Sequence, residues 1–137
     1  MSQPGIRFIV CHIHKTSARL RFLCVGNHVC TPEPLPPLVS LMDVAPKLDG
    51  VGLHPSLPLK RLIEDLQLPA NRLTLANGFR SWVEAPRQAI AIYLAMDLSE
   101  EAFAAPKGTH WLELPKSWEL AEIERLLLRE VYDWLLG

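Results

Sequence analysis

Seven of the twelve prolines in this 137-residue chain fall between Asn27 and Pro58, as Pro32, Pro34, Pro36, Pro37, Pro46, Pro55 and Pro58. Each removes a backbone donor and pushes the residue before it out of the helical region, so no long helix or central strand can run through this stretch. Only the first 26 residues precede it, too few to build a core of their own. The stretch is therefore expected to be a covered loop within one domain spanning residues 1–137. With 49% apolar residues, the chain has material for a single core. One short helix fits between Pro37 and Lys47, where Leu38, Leu41 and Met42 share a face, and Gly50 and Gly52 then make the backbone permissive again.

Before the loop, Phe8-Ile9-Val10-Cys11-His12-Ile13 and Leu20-Arg21-Phe22-Leu23-Cys24-Val25 flank the polar Lys15-Thr16-Ser17, the pattern of a β-hairpin over 7–25. In its second run Ala18, Leu20, Phe22 and Cys24 share one face, and Arg19, Arg21, Leu23 and Val25 the other, wetter one. After the loop, Ser56 suits an N-cap and Pro58 a first helical turn. A helix over 57–67 follows, stopping before Pro69, with Leu59, Leu62, Ile63 and Leu66 as its apolar stripe. Residues 72–75, 79–84 and 89–98 read as strands, the last two joined around Ala85-Pro86-Arg87. Ile90, Ile92, Leu94 and Met96 alternate with Ala89, Ala91, Tyr93 and Ala95, which predicts a strand buried on both faces.

One more strand is expected over 109–114, and then Ser117 can cap a long C-terminal helix running to about Leu136. Leu120, Ile123, Leu127, Val131 and Trp134 form its central stripe, and Leu128, Tyr132 and Leu135 widen it beyond that of a surface helix. Left in water, such a face would be costly, at roughly 1.5–3 kcal/mol for each large side chain. A homodimer is the expected arrangement.

Fourteen Lys and Arg against fifteen Asp and Glu leave a formal charge of -1, so no global field draws a polyanion and nothing signals nucleic-acid binding. The opening residues lack a basic flank followed by an apolar run. No stretch approaches the roughly 18 apolar residues of a membrane span, so the reading is cytoplasmic. Cys11, Cys24 and Cys30 match neither a paired disulfide frame nor a CxxC motif and read as buried thiols. His12, His14 and His28 lie near them, but alternation puts His12 and His14 opposite Cys11, and the spacing fits no zinc module. They read as partly exposed hairpin residues. Cys24 or Cys30 with His28 as base lacks any orienting partner, no G-x-S-x-G elbow occurs, and Gly50-Val51-Gly52 is too short for a phosphate loop.

The segment Lys60-Arg61-Leu62-Ile63-Glu64-Asp65-Leu66-Gln67-Leu68, set in this order of elements, resembles the second half of the signature of the Nudix superfamily. That signature ends Arg-Glu-aliphatic-any-Glu-Glu-any-Gly-aliphatic, and the adjacent acids and the two aliphatic positions match. The resemblance implies an α+β fold: an α/β/α sandwich with a mixed sheet and the long C-terminal helix. It also implies acids that hold the magnesium which activates water against a pyrophosphate. Here Arg61 stands at the first glutamate of this half, Gln67 at the glycine, and the upstream half is absent. Mg²⁺ demands near-octahedral oxygen ligation, and two acids beside an arginine form a poor cage.

The resemblance therefore implies a non-catalytic Nudix-like domain that binds a small, nucleotide-related ligand or acts as a dimeric interaction module. The alternative is a metal-dependent pyrophosphohydrolase that draws on Glu33, Asp43, Asp49 or Glu84, and only then is Mg²⁺ a cofactor. Glu64 and Asp65 are the candidate metal ligands, against an ordinary solvated face with Lys60–Glu64 and Arg61–Asp65 pairs. Arg61, Arg80, Trp82 and Arg87 are the candidate ligand-binding residues, because guanidinium groups pair with phosphate and an indole stacks on a base. Trp82, Tyr93, Trp111 and Trp118 could alternatively line a slot or pack in the core.

Overall fold

The computed structural model describes residues 5–46 and 54–137. The first hairpin forms as its alternation predicts, with β1 (Gly5–His14) and β2 (Leu20–Val25) pairing antiparallel through Cys11 opposite Phe22. After the proline-rich stretch come β3 (Ser40–Leu41), α1 (Ser56–Leu66), a 3-10 turn (Ala70–Arg72) and β4 (Thr74–Leu75). The second hairpin follows as β5 (Ser81–Ala85) and β6 (Gln88–Ser99). The chain ends with β7 (Thr109–Leu112), a second 3-10 segment (Leu114–Glu119) and α2 (Glu122–Leu136).

The strands form one mixed sheet in the order β3-β5-β6-β1-β2-β7, with β4 also on β6. Among the described strands only β1 and β6 run parallel, in register from Gly5 opposite Ile90 to His14 opposite Ser99. These two long strands are central, and Ile90, Ala91, Ile92, Leu94 and Ala95 are buried on both faces as the sequence predicts.

Among the described residues each face carries one α-helix. On one side Ile9, Cys11, Phe22, Cys24, Ile92 and Leu94 pack with Leu127, Leu128 and Val131 of α2. On the other, Phe8, Val10, Leu23 and Ala95 pack with Leu59 and Leu62 of α1. The result is the expected α/β/α sandwich. Leu128, one of the residues that widen the α2 stripe, is wholly buried. Trp134 meets the ring of Phe79 edge-on at 5.7 Å, whereas Tyr132 stays exposed.

Several local expectations are corrected. The short helix between Pro37 and Lys47 does not form over the described residues. Leu38 instead takes φ 61° with its side chain exposed, and Ser40 and Leu41 pair with Glu84 and Val83 as an edge strand, which satisfies donors that the preceding prolines cannot extend into a helix. Gly50 and Gly52 lie outside the described residues. Ser56 is the first residue of α1 rather than its cap. Pro55 precedes the helix, and the Ser56 hydroxyl meets His54 Nδ1 at 2.9 Å.

Ser117 caps no long helix. Its hydroxyl donates to the Leu114 carbonyl inside the second 3-10 segment, so Leu120 enters the core from the connection and α2 starts only at Glu122. The strand expected over 72–75 is shortened because Arg72 belongs to the 3-10 turn. No helix among the described residues is long and apolar enough to cross a membrane.

Candidate functional site

The signature-like segment lies on α1, whose stripe points Leu59 and Leu62 into the sheet and leaves Arg61, Glu64 and Asp65 exposed. Ion pairs among the described residues join Arg7 to Glu33, Arg19 to Glu113 and Arg72 to Asp97, so neither Lys60–Glu64 nor Arg61–Asp65 closes. Glu64 and Asp65 are adjacent, and successive helical residues diverge by about 100°. Among the described residues no three His, Cys, Asp or Glu side chains converge as a metal cage, while Asp49 lies outside them.

Of the candidate ligand residues, the structure brings two together. The Arg80 guanidinium lies 5.4 Å from the Trp82 ring centre, an attractive cation–π arrangement. Both residues line a cavity of about 590 Å³ that opens between the start of β5, the 42–45 segment and the last turns of α2. Three carboxylates, Asp43, Glu130 and Asp133, share that wall, and Ser81 Oγ donates to Glu130 Oε1 at 2.5 Å. Trp134, 43% exposed, adds aromatic surface. The Trp82 indole N–H is buried without a partner among the described residues. Arg61, on α1, and Arg87, exposed in the β5–β6 turn, do not line this cavity. The four large aromatics likewise share no single slot. Tyr93 tilts against Phe8, Trp111 donates its indole N–H to the Phe103 carbonyl at 2.8 Å, and Trp118 is 69% exposed.

A polar cluster that sequence reasoning missed lies beside β1 and β6. His12 is 3% exposed, a correction to its expected partial exposure, because the parallel register sets it beside Asp97 under Trp111. Its Nε2 lies 3.1 Å from the Ser99 carbonyl oxygen. Burial holds its pKa below the ordinary 6.5, so the ring is neutral at pH 7. Asp97, 2% exposed, is reached at 3.0 Å by Arg72, without the alignment of a good hydrogen bond to that oxygen. Arg72 also donates to Ser99 Oγ at 2.7 Å and to the Glu101 carbonyl, with its guanidinium over Phe103. Strand register brings His12 beside Asp97 and Ser99, and Arg72 reaches them from the 3-10 turn. An acid two positions after the apolar Ala95 on one buried face was the available sign.

Burial pushes the thiols of Cys11, Cys24 and Cys30 up, and Asp97 or Glu124 nearby adds to the effect. His28 Nδ1 donates to the Cys30 carbonyl oxygen at 2.7 Å, which leaves Nε2 as the acceptor of the ring.

No family model and no curated protein matches this chain. Among solved structures, the crystal structure of C. elegans Ap4A hydrolase matches at a TM-score of 0.61 and 17% identity, covering 98% of this chain and 99% of that one. The Nudix domain of Shewanella oneidensis NrtR, crystallised with ADP ribose, matches at a TM-score of 0.41 and 13% identity, over 100% and 91% of the two chains. The described residues thus form a Nudix-like α+β fold, as the order of the elements implied.

Proposed function

We propose that this protein is a Nudix-fold binding domain for a small, base-containing ligand, without the metal-dependent pyrophosphate hydrolysis of the fold's enzymes. The observation that carries this reading is the state of α1. The helix that resembles the signature presents only Glu64 and Asp65, both exposed, with Arg61 one turn earlier where a further acid would stand. An arginine there repels a divalent cation and favours an anionic group.

The cavity beside Arg80 supports the ligand class. Carboxylates accept the N–H groups of a base edge, aromatic rings stack on its face, and a guanidinium at the mouth pairs with a phosphate. Asp43, Glu130 and Asp133 supply the first, Trp134 the second and Arg80 the third. A thermal-shift series with nucleoside mono- and diphosphates, with and without Mg²⁺, tests the reading. Ligand at a hundred times its dissociation constant stabilises the fold by about 2.7 kcal/mol. The expected shift is independent of metal, is lost in Arg80→Ala, and persists in Glu64→Gln. A shift that requires Mg²⁺, together with Mg²⁺-dependent release of phosphate or nucleoside monophosphate, overturns it in favour of the hydrolase.

A further inference from the structure

His12 and the hairpin arginines enclose a second cavity, of about 520 Å³, at the turn end of β1 and β2, lined by His12, His14, Arg19, Arg21, Glu100 and Glu101. None of its residues lines the cavity beside Arg80. The hydrogen-bond roles of its wall follow from the neighbours. A carbonyl oxygen only accepts, so the 3.1 Å contact of His12 Nε2 with Ser99 places the ring proton on Nε2. In the neutral ring Nδ1 is then a bare acceptor, and this atom is buried without a partner among the described residues. A buried polar atom left unpaired is unfavourable, and a donor carried by a ligand would satisfy it.

His14 is arranged in the opposite sense. Its Nδ1 accepts the backbone N–H groups of Thr16 at 3.2 Å and Ser17 at 3.1 Å, so its Nε2 carries the proton and donates. Arg19 is held by Glu113 at 2.5 Å, and half-buried Arg21 makes no ion pair among the described residues. The exposed Glu100 and Glu101 offset the charge of the two guanidiniums. The cavity thus offers cationic donors, one imidazole N–H and one buried acceptor, at near-neutral total charge. That combination suits a singly charged oxyanion that keeps one proton of its own, and disfavours a polyphosphate.

We infer that this cavity is a binding site for a protonated phosphate group, free or as a monoester, with Arg21 and His14 donating to its oxygens and His12 Nδ1 accepting its P–O–H. The inference stands independently of the proposed function. It is tested on the full chain by titrating inorganic phosphate, adenosine 5′-monophosphate and sulfate near neutral pH while following the five histidine side chains by ring-nitrogen NMR. Phosphate is expected to shift His12 and His14 and to leave His28, His54 and His110 unmoved. Sulfate, which carries no proton at this pH, is expected to bind about tenfold more weakly, and Arg21→Gln to weaken phosphate by about the same factor with an unchanged fold. A response to inorganic phosphate alone marks a free-anion site, and a stronger response to the monophosphate marks a monoester site. Phosphate that leaves His12 and His14 unmoved, or that binds no better than sulfate, overturns the inference.

Discussion

Glu124 shows how one side chain can join distant parts of the chain. It sits in the first turn of α2, is 3% exposed, and its carboxylate accepts the backbone N–H of Val29 at 3.1 and 3.2 Å and of Cys30 at 2.9 Å. A negative charge in the first turn is also favoured by the helix dipole. The loop after β2 is thereby fastened to the helix that covers the sheet. Glu124→Ala leaves two buried donors unsatisfied, and urea denaturation is expected to show a loss of about 2–4 kcal/mol, with Glu124→Gln losing less. Equal stability of Glu124→Ala and the parent would show that the contact carries no weight. The residue shares a helical face with Leu127, Leu128 and Val131, and an acid inside an apolar stripe was the sign available in the sequence.

At the scale of the element, α1 ends in a conformation for which its sequence is poorly chosen. Gln67 adopts φ 57°, ψ 46°, the left-handed region, with its N–H bonded to the Glu64 carbonyl and that of Leu68 to the Ile63 carbonyl at 2.9 Å. These two bonds, with Leu68 and Ile63 packed in the same cluster, make a Schellman stop. A side chain there costs about 1–2 kcal/mol, part of which glycine returns through the greater freedom of its unfolded chain. Gln67 is also the position at which the Nudix signature has its glycine. Gln67→Gly is therefore expected to raise stability by about 1 kcal/mol, seen as a rise of a few degrees in Tm. An unchanged or lower Tm would show that the left-handed residue is unstrained.

For the whole molecule, the joint that matters lies between layers. Arg72 leaves the α1 side on the 3-10 turn and reaches Asp97 and Ser99 on β6, the Glu101 carbonyl beyond it and the Phe103 ring. Removing it strands a carboxylate that is 2% exposed. Arg72→Ala is expected to cost about 3 kcal/mol in chemical denaturation, and adding Asp97→Asn to recover part of it, since a buried charge without its partner is worse than no pair. A single variant as stable as the parent would refute the joint.

The hairpin, the doubly buried strand β6 and the stripes of both helices were legible in the sequence, because periodicities of 2 and 3.6 act within one element and need no partner to be seen. The order of those elements and the Glu64–Asp65 pair also pointed to the Nudix-like fold. The edge strand Ser40–Leu41, the true start of α2, the burial of His12 and the meeting of Arg72 with Asp97 were not legible. Each depends on a pairing across the chain, above all the parallel register that sets Gly5 beside Ile90 and His12 beside Asp97. Local patterning alone therefore determined the long strands, the two main helices and which of their faces are apolar. Only the tertiary structure decided which polar side chains meet, because strand register, set by burial on both faces of the sheet at once, is a property of the packed chain.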